Sequence, residues 1–125
     1  MIHPDVEKAL MELTAQLVPE DQVVARLQPD FTSGPMPVVL ISAEIPGADV
    51  LSTVQAEFEI YHSSRSDART LTTVLLSHLT DRHHETSHGF LDRVYVRQKP
   101  KELPYQFSGV ERFQFVLNID TRPVG

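Results

Sequence analysis

A change of hydrophobic period in the middle of the chain constrains the fold more than any other feature. From Ser52 to Tyr61 the residues alternate, with Val54, Ala56, Phe58 and Ile60 on one side and Thr53, Gln55, Glu57, Glu59 and Tyr61 on the other. A period of two marks a strand with one buried face. Arg65 to Thr80 then follows a helical period, which gathers Ala68, Leu71, Val74, Leu75 and Leu79 on one side. Ser66 and Asp67 are candidate caps at its start. A half-buried strand leading into a one-sided helix predicts a sheet with a helix packed on it.

The remaining segments fit around this pair. Pro4 suits a first helical position, Asp5 and Glu7 favour the positive end, and Val6, Leu10, Leu13 and Leu17 recur at helical spacing until Pro19 stops the run. Gln22 to Leu27 is a short β-prone stretch, closed by turn-rich residues 28–35. Met36 to Ala43 is nearly all apolar and reads as a central strand covered on both faces. Residues 45–49 read as a turn, and Asp81 to Gly89 as a polar, histidine-rich connection. Leu91 to Lys99 predicts a strand, Pro100 to Gly109 a proline-bearing connection, and Val110 to Asp120 a last strand with Phe113, Phe115, Leu117 and Ile119 on one face. The expected order is α-β-β-β-α-β-β, a single α+β domain over residues 1–125. Its sheet is mostly antiparallel or mixed, with two helices packed on it. A chain of 125 residues leaves no room for two independent cores.

Composition narrows the function classes. The absence of cysteine excludes disulfides, thiolate nucleophiles and Cys-type zinc sites. The longest purely apolar runs, such as Val38 to Ile41, fall far short of the ~20 residues a bilayer needs. The N-terminus lacks the basic and long apolar regions of a signal peptide, so folding in a cytoplasm, with no membrane partner, is expected. The net charge of −6 argues against coating nucleic acid by charge alone. That charge is uneven: residues 1–60 hold ten acidic and two basic side chains, residues 61–125 seven and nine. Such a chain can present opposite faces to different neighbours.

No arrangement of residues announces catalysis. The five glycines are scattered, so neither a dinucleotide fingerprint nor a P-loop can be written, and no serine stands in a nucleophile elbow. Glu57 and Glu59 share a strand face roughly 7 Å apart by strand rise. Without a matched pair of environments to separate their pKa values, they read with Gln55 as a solvated face or a subunit contact. His78, His83, His84 and His88 fall within eleven residues, with Glu85 beside them and His62 not far away. The ligand types suit zinc, but the His83-His84 pair reads as part of a polar loop without the helical i, i+4 register of a zincin. His83, His84 and His88 are therefore expected in a flexible connection, dispensable for folding. No catalytic residue, metal or cofactor is expected.

Two further groups suggest contact surfaces. Arg93, Arg97 and Lys99 share one strand parity and, with Lys101 following, form a basic stripe suited to an acidic neighbour. Leu103, Tyr105 and Phe107 lie in a segment that Pro100 and Pro104 stiffen, which lowers the entropy lost on ordering. These three side chains either anchor a partner or fold back into their own domain.

In order and spacing, several segments together resemble one family. They are the His-Pro-Asp-Val opening, Leu17 to Val24, the Pro37 to Ile41 strand, the strand–helix unit from Ala56 to Leu79, and Leu103-Pro104-Tyr105 with Val110 to Phe113 before the last strand. The family is the tail-terminator, or tail-completion, proteins of long-tailed bacteriophages, particularly those infecting actinobacteria. The resemblance covers nearly the whole chain, and the histidine-rich segment is no part of it. It implies a structural virion protein, assembled in the host cytoplasm and carried in the tail and neck. Such a protein forms a homohexameric ring that caps the tail-tube protein, stops its polymerisation and offers a surface to the head-closure or connector protein. Double-stranded DNA passes through the ring without sequence-specific binding, which an acidic lumen favours because like charges repel. The alternatives are another neck component (a head-closure or tail-tube subunit) and a small α+β enzyme or ligand-binding module.

Overall fold

A computed structural model describes residues 2–47, 51–107 and 109–123. Two helices and six strands follow in the order α1 (Val6–Thr14), β1 (Val23–Val24), β2 (Val38–Ala43), β3 (Ser52–His62), α2 (Arg65–Leu79), β4 (Arg82–Thr86), β5 (Gly89–Leu103) and β6 (Glu111–Thr121). The α+β class stands, with one strand more than the sequence pattern predicts. The strands form one sheet in the order β1-β2-β3-β6-β5-β4, in which only β1 and β2 run parallel.

The sheet is built on its centre. β3 and β6 pair without a break from Ser52 opposite Thr121 to His62 opposite Glu111. Val54, Ala56, Phe58 and Ile60 therefore share a buried face with Phe113, Phe115, Leu117 and Ile119. Phe58 and Phe115 stack as a cross-strand pair with ring centroids 4.8 Å apart. Burying each such side chain is worth about 1.5–3 kcal/mol. Helix α2 packs over β3, β6 and β5, while α1 touches β1 and β2 at one edge and β4 and β5 at the other. One short helix reaches both edges because the sheet curls around it, so both helices lie inside the curl. The core joins Val6, Ala9, Leu10 and Leu13 of α1 to Ala68, Leu75 and Leu79 of α2.

Capping explains the helix boundaries. The Asp5 carboxylate accepts the Lys8 N–H at 3.1 Å, which makes Asp5 the cap of α1 and leaves Pro4 just outside the helix. The helix ends at Thr14, so Leu17 is exposed and Val18 takes the buried position. The cap of α2 is Ser64, whose hydroxyl accepts the Asp67 N–H, rather than Ser66 or Asp67. In this phase Thr72 faces the core and Val74 turns outward. β2 is covered on both faces only at its start: Val39 and Ile41 meet the helices, Val38 is buried opposite Tyr61 on the other face, and Ser42 is exposed.

The largest departures from expectation lie between α2 and β6. Residues 82–86 form a strand, not a flexible connection, and pair with β5. Only His84 among them is buried, so their hydrophobic pattern is too faint to read as a strand. β5 runs on to Leu103, absorbing Pro100 into a strand that β4 accompanies only as far as Val94. Of the turn expected at 45–49, residues 48 and 49 lie outside the described residues.

The β4–β5 turn is tied to α1. Asp5 N–H donates to the His88 carbonyl at 3.3 Å. Both the hydroxyl and the N–H of Ser87 donate to Glu12, which holds that carboxyl below its ordinary value. Gly89 has φ +127°, and a Cβ there would overlap Pro4. A Gly89→Ala variant should therefore lose stability by about 1–3 kcal/mol, read from denaturant midpoints. An unchanged midpoint would show that this turn does not press on the α1 entry.

Candidate functional site

Because both helices occupy the inner face, the outer face of the sheet is mostly polar, with Val38, Leu40, Tyr61 and Val116 among its apolar members. Gln55, Glu57 and Glu59 of β3 lie there together, as their parity predicts, beside Gln114, Asn118 and Asp120 of β6 and Arg93 and Tyr95 of β5. The two glutamates do not form a carboxylate dyad, since each has its own partners. Glu57 accepts from the Gln114 amide. Glu59 accepts the Tyr61 hydroxyl at 2.9 Å and pairs with Arg112 at 3.7 Å. Burial, above all, pushes the Tyr61 hydroxyl up to about 12, so it remains a donor to Glu59 at any physiological pH. Asp120 accepts the hydroxyls of Thr53 at 2.6 Å and Tyr95 at 3.4 Å.

The basic stripe is broken. Arg93 stands opposite Asp120, with its guanidinium 4.5 Å from the Tyr95 ring centroid. Register shifts between Val96 and Gln98, and between Gln98 and Lys101, then change the parity of β5 twice. Arg97 and Lys99 fall within these bulges and do not continue the row that Arg93 begins. Lys101 regains the pairing, opposite Gln114.

Leu103, Tyr105 and Phe107 separate into three environments. Leu103 ends β5 opposite Arg112. Tyr105 folds back, edge-on to Tyr61 at 5.4 Å and Phe31 at 6.0 Å, with the Arg112 guanidinium 5.3 Å from its ring centroid. Arg112 also donates to the Pro104 carbonyl at 2.9 Å, which clamps the segment onto β6. Phe107 touches Tyr105 at the outer side of this cluster and is 49% exposed. Tyr105 thus packs into its own domain, while Leu103 is half-buried and Phe107 stays exposed. No sequence pattern brings Phe31, Tyr61 and Arg112 together. Arg112 has the outward parity of β6, but Phe31 sits in a turn-rich stretch with no periodicity to orient it.

The histidines are not a loop cluster. His84 is buried and its Nε2–H donates to the Leu79 carbonyl at 2.8 Å, closing the end of α2. His83 stacks on Phe90, His78 meets the Gln16 side chain at 2.9 Å, and His88 is exposed. Among the described residues no three His, Asp or Glu side chains converge as a metal site would require. No helix among them is long and apolar enough to cross a membrane. Neither protein-family models nor curated proteins match the chain.

Two measurements follow from these contacts. Tyr105→Ala should cost about 1–2 kcal/mol through lost ring contacts, whereas Phe107→Ala should stay within about 0.5 kcal/mol; equal effects would contradict the division drawn between them. The second concerns His84, which burial holds below the ordinary imidazole value, with Arg82, His78 and His83 acting in the same direction and the Leu79 carbonyl opposing. The folded chain therefore prefers neutral His84. Its contribution is present above the unfolded value near 6.5 and is lost as pH falls through the lower folded value. Denaturant midpoints should drop as pH falls below about 6.5, and His84→Gln should flatten part of that slope. His84→Ala should cost about 1–3 kcal/mol at pH 7.5, because it leaves the Leu79 carbonyl without its donor. The expectation that His83, His84 and His88 can all be replaced without loss fails at His84 for that reason.

Proposed function

We propose that this chain is a tail terminator, a structural subunit of a phage virion that closes into a ring on the end of the tail tube. In that role it stops tube polymerisation and presents a surface to the head-closure or connector protein, while DNA passes through the lumen. The order and spacing of the segments named above support the reading. So does the observation that carries most weight, the division of the sheet into a helix-covered inner face and a largely polar outer face that ends in an exposed aromatic at the β5–β6 tip. A subunit of a closed ring needs a self-supporting core and separate surfaces for its two neighbours. The inner face serves the first need, and the outer face and the sheet ends are available for the second.

Electron microscopy of tails assembled with and without the chain tests this. With it, tubes should be uniform in length, end in a ring and join heads; without it, tubes should vary in length and remain unjoined. A hexamer would weigh six times 14.1 kDa, about 85 kDa. Tails that look the same in both preparations would overturn the proposal.

A further inference from the structure

The two ends of the sheet differ in charge and in what they expose. At the end where Ser52 pairs with Thr121, the N-terminal segment lies beside the β2–β3 connection, with His3 Nδ1 3.1 Å from the Thr121 hydroxyl. A groove of about 740 Å³ opens there. Ile2 and Ile45 line it and are 76% and 91% exposed. Asp5, Glu7 and Glu44 also line it, with Lys8 and His3. Their carboxylates accept the backbone N–H groups of Lys8, Ala43 and Gln55 respectively. Among the described residues none of the three is in an ion pair.

The other end carries both signs, with Glu102, ion-paired to Arg65, and Glu111 beside Phe107. Beyond the pairing of Leu103 with Arg112, the β5–β6 tip presents Phe107. Lys99 and Lys101 are exposed on the strand that leads to it, and among the described residues neither is in an ion pair. The eleven residues of β3 separate the two ends by about 33 Å of strand rise, so a tip cannot reach the groove of its own chain.

We propose that the groove receives the β5–β6 tip of a second copy of this chain, with Phe107 seated on Ile2 and Ile45 and with Lys99 and Lys101 facing Asp5, Glu7 and Glu44. The proposal deepens the ring reading by naming its joint. An exposed aromatic entering an apolar-rimmed groove is the kind of anchor on which interfaces concentrate their energy. The opposed charges steer the encounter and set its orientation. Because the joint uses two different surfaces, every subunit keeps a free groove and a free tip until the series closes, so the contact propagates head to tail.

Two variants test the joint, Ile45→Asp at the groove and Phe107→Asp at the tip. Both residues are exposed, so both variants should keep the wild-type melting temperature. In sedimentation of the full chain up to millimolar concentration at low salt, the wild type should form species larger than a dimer. Each variant alone should associate at least about tenfold more weakly. An equimolar mixture should give a dimer of twice 14.1 kDa, about 28 kDa, and nothing larger. The Ile45→Asp chain keeps an intact tip and the Phe107→Asp chain an intact groove, so the mixture contains one working joint. A wild type that stays monomeric, variants that associate as the wild type does, or a mixture that stays monomeric would each overturn the proposal. Tail completion is scored separately. Variants that still cap tails would remove the joint and leave the terminator reading standing. A wild type that assembles through this joint yet leaves tails open would remove the terminator reading and leave the joint.

Discussion

Everything in this molecule depends on the unbroken register of β3 on β6. Eleven consecutive pairs lock the two strands in phase, so that every inward side chain of one meets an inward side chain of the other. A slip of one residue would turn one of the two strands over, sending either Phe58 and its neighbours or Phe115 and its neighbours out to solvent and bringing Glu57 and Glu59, or Asp120, under the helices. The hydrophobic contrast between the two faces makes that slip prohibitive. With the centre fixed, α2 has one apolar surface on which to lie, and the curl of the outer strands gives α1 the other.

The same contrast explains what could be read in advance. The alternation in residues 52–61 and 113–119 and the helical periods of α1 and α2 survive in the structure except at Leu17, Tyr61 and Val74, because each reports burial on one side by many residues at once. β4 was illegible for the opposite reason. An edge strand with a single inward residue carries almost no period, and that residue is a histidine, whose burial depends on finding the Leu79 carbonyl. The cap of α2 was displaced by two residues because Ser64, Ser66 and Asp67 all have side-chain oxygens suited to the role. Only backbone geometry selects Ser64.

Of the candidate surface, the part on β3 was legible and the part on β5 was not. Gln55, Glu57 and Glu59 share a face because β3 is regular. Arg93, Arg97 and Lys99 do not, since two bulges reset the parity of β5, and bulges leave no periodic trace. Ionic partners were equally hidden. Arg112 reaches Glu59 across a strand boundary and Tyr105 along a hairpin, and both depend on register. Tyr105 belongs to its own domain because Arg112, Tyr61 and Phe31 converge on it, a fact no local pattern contains.

The overhang of β5 has a consequence for the solution behaviour of the protein. Beyond Val94 one side of this strand has no neighbour among the described residues, and a long bare strand is ordinarily a template for uncontrolled sheet growth. Here Pro100 removes a donor, the two bulges misalign the remaining donors and acceptors, and Arg97, Lys99 and Lys101 crowd the border with like charge. The strand thus carries its own gatekeepers against amyloid-like stacking. With its border guarded in this way, the folded chain can stay dispersed at high concentration although one side of β5 is bare.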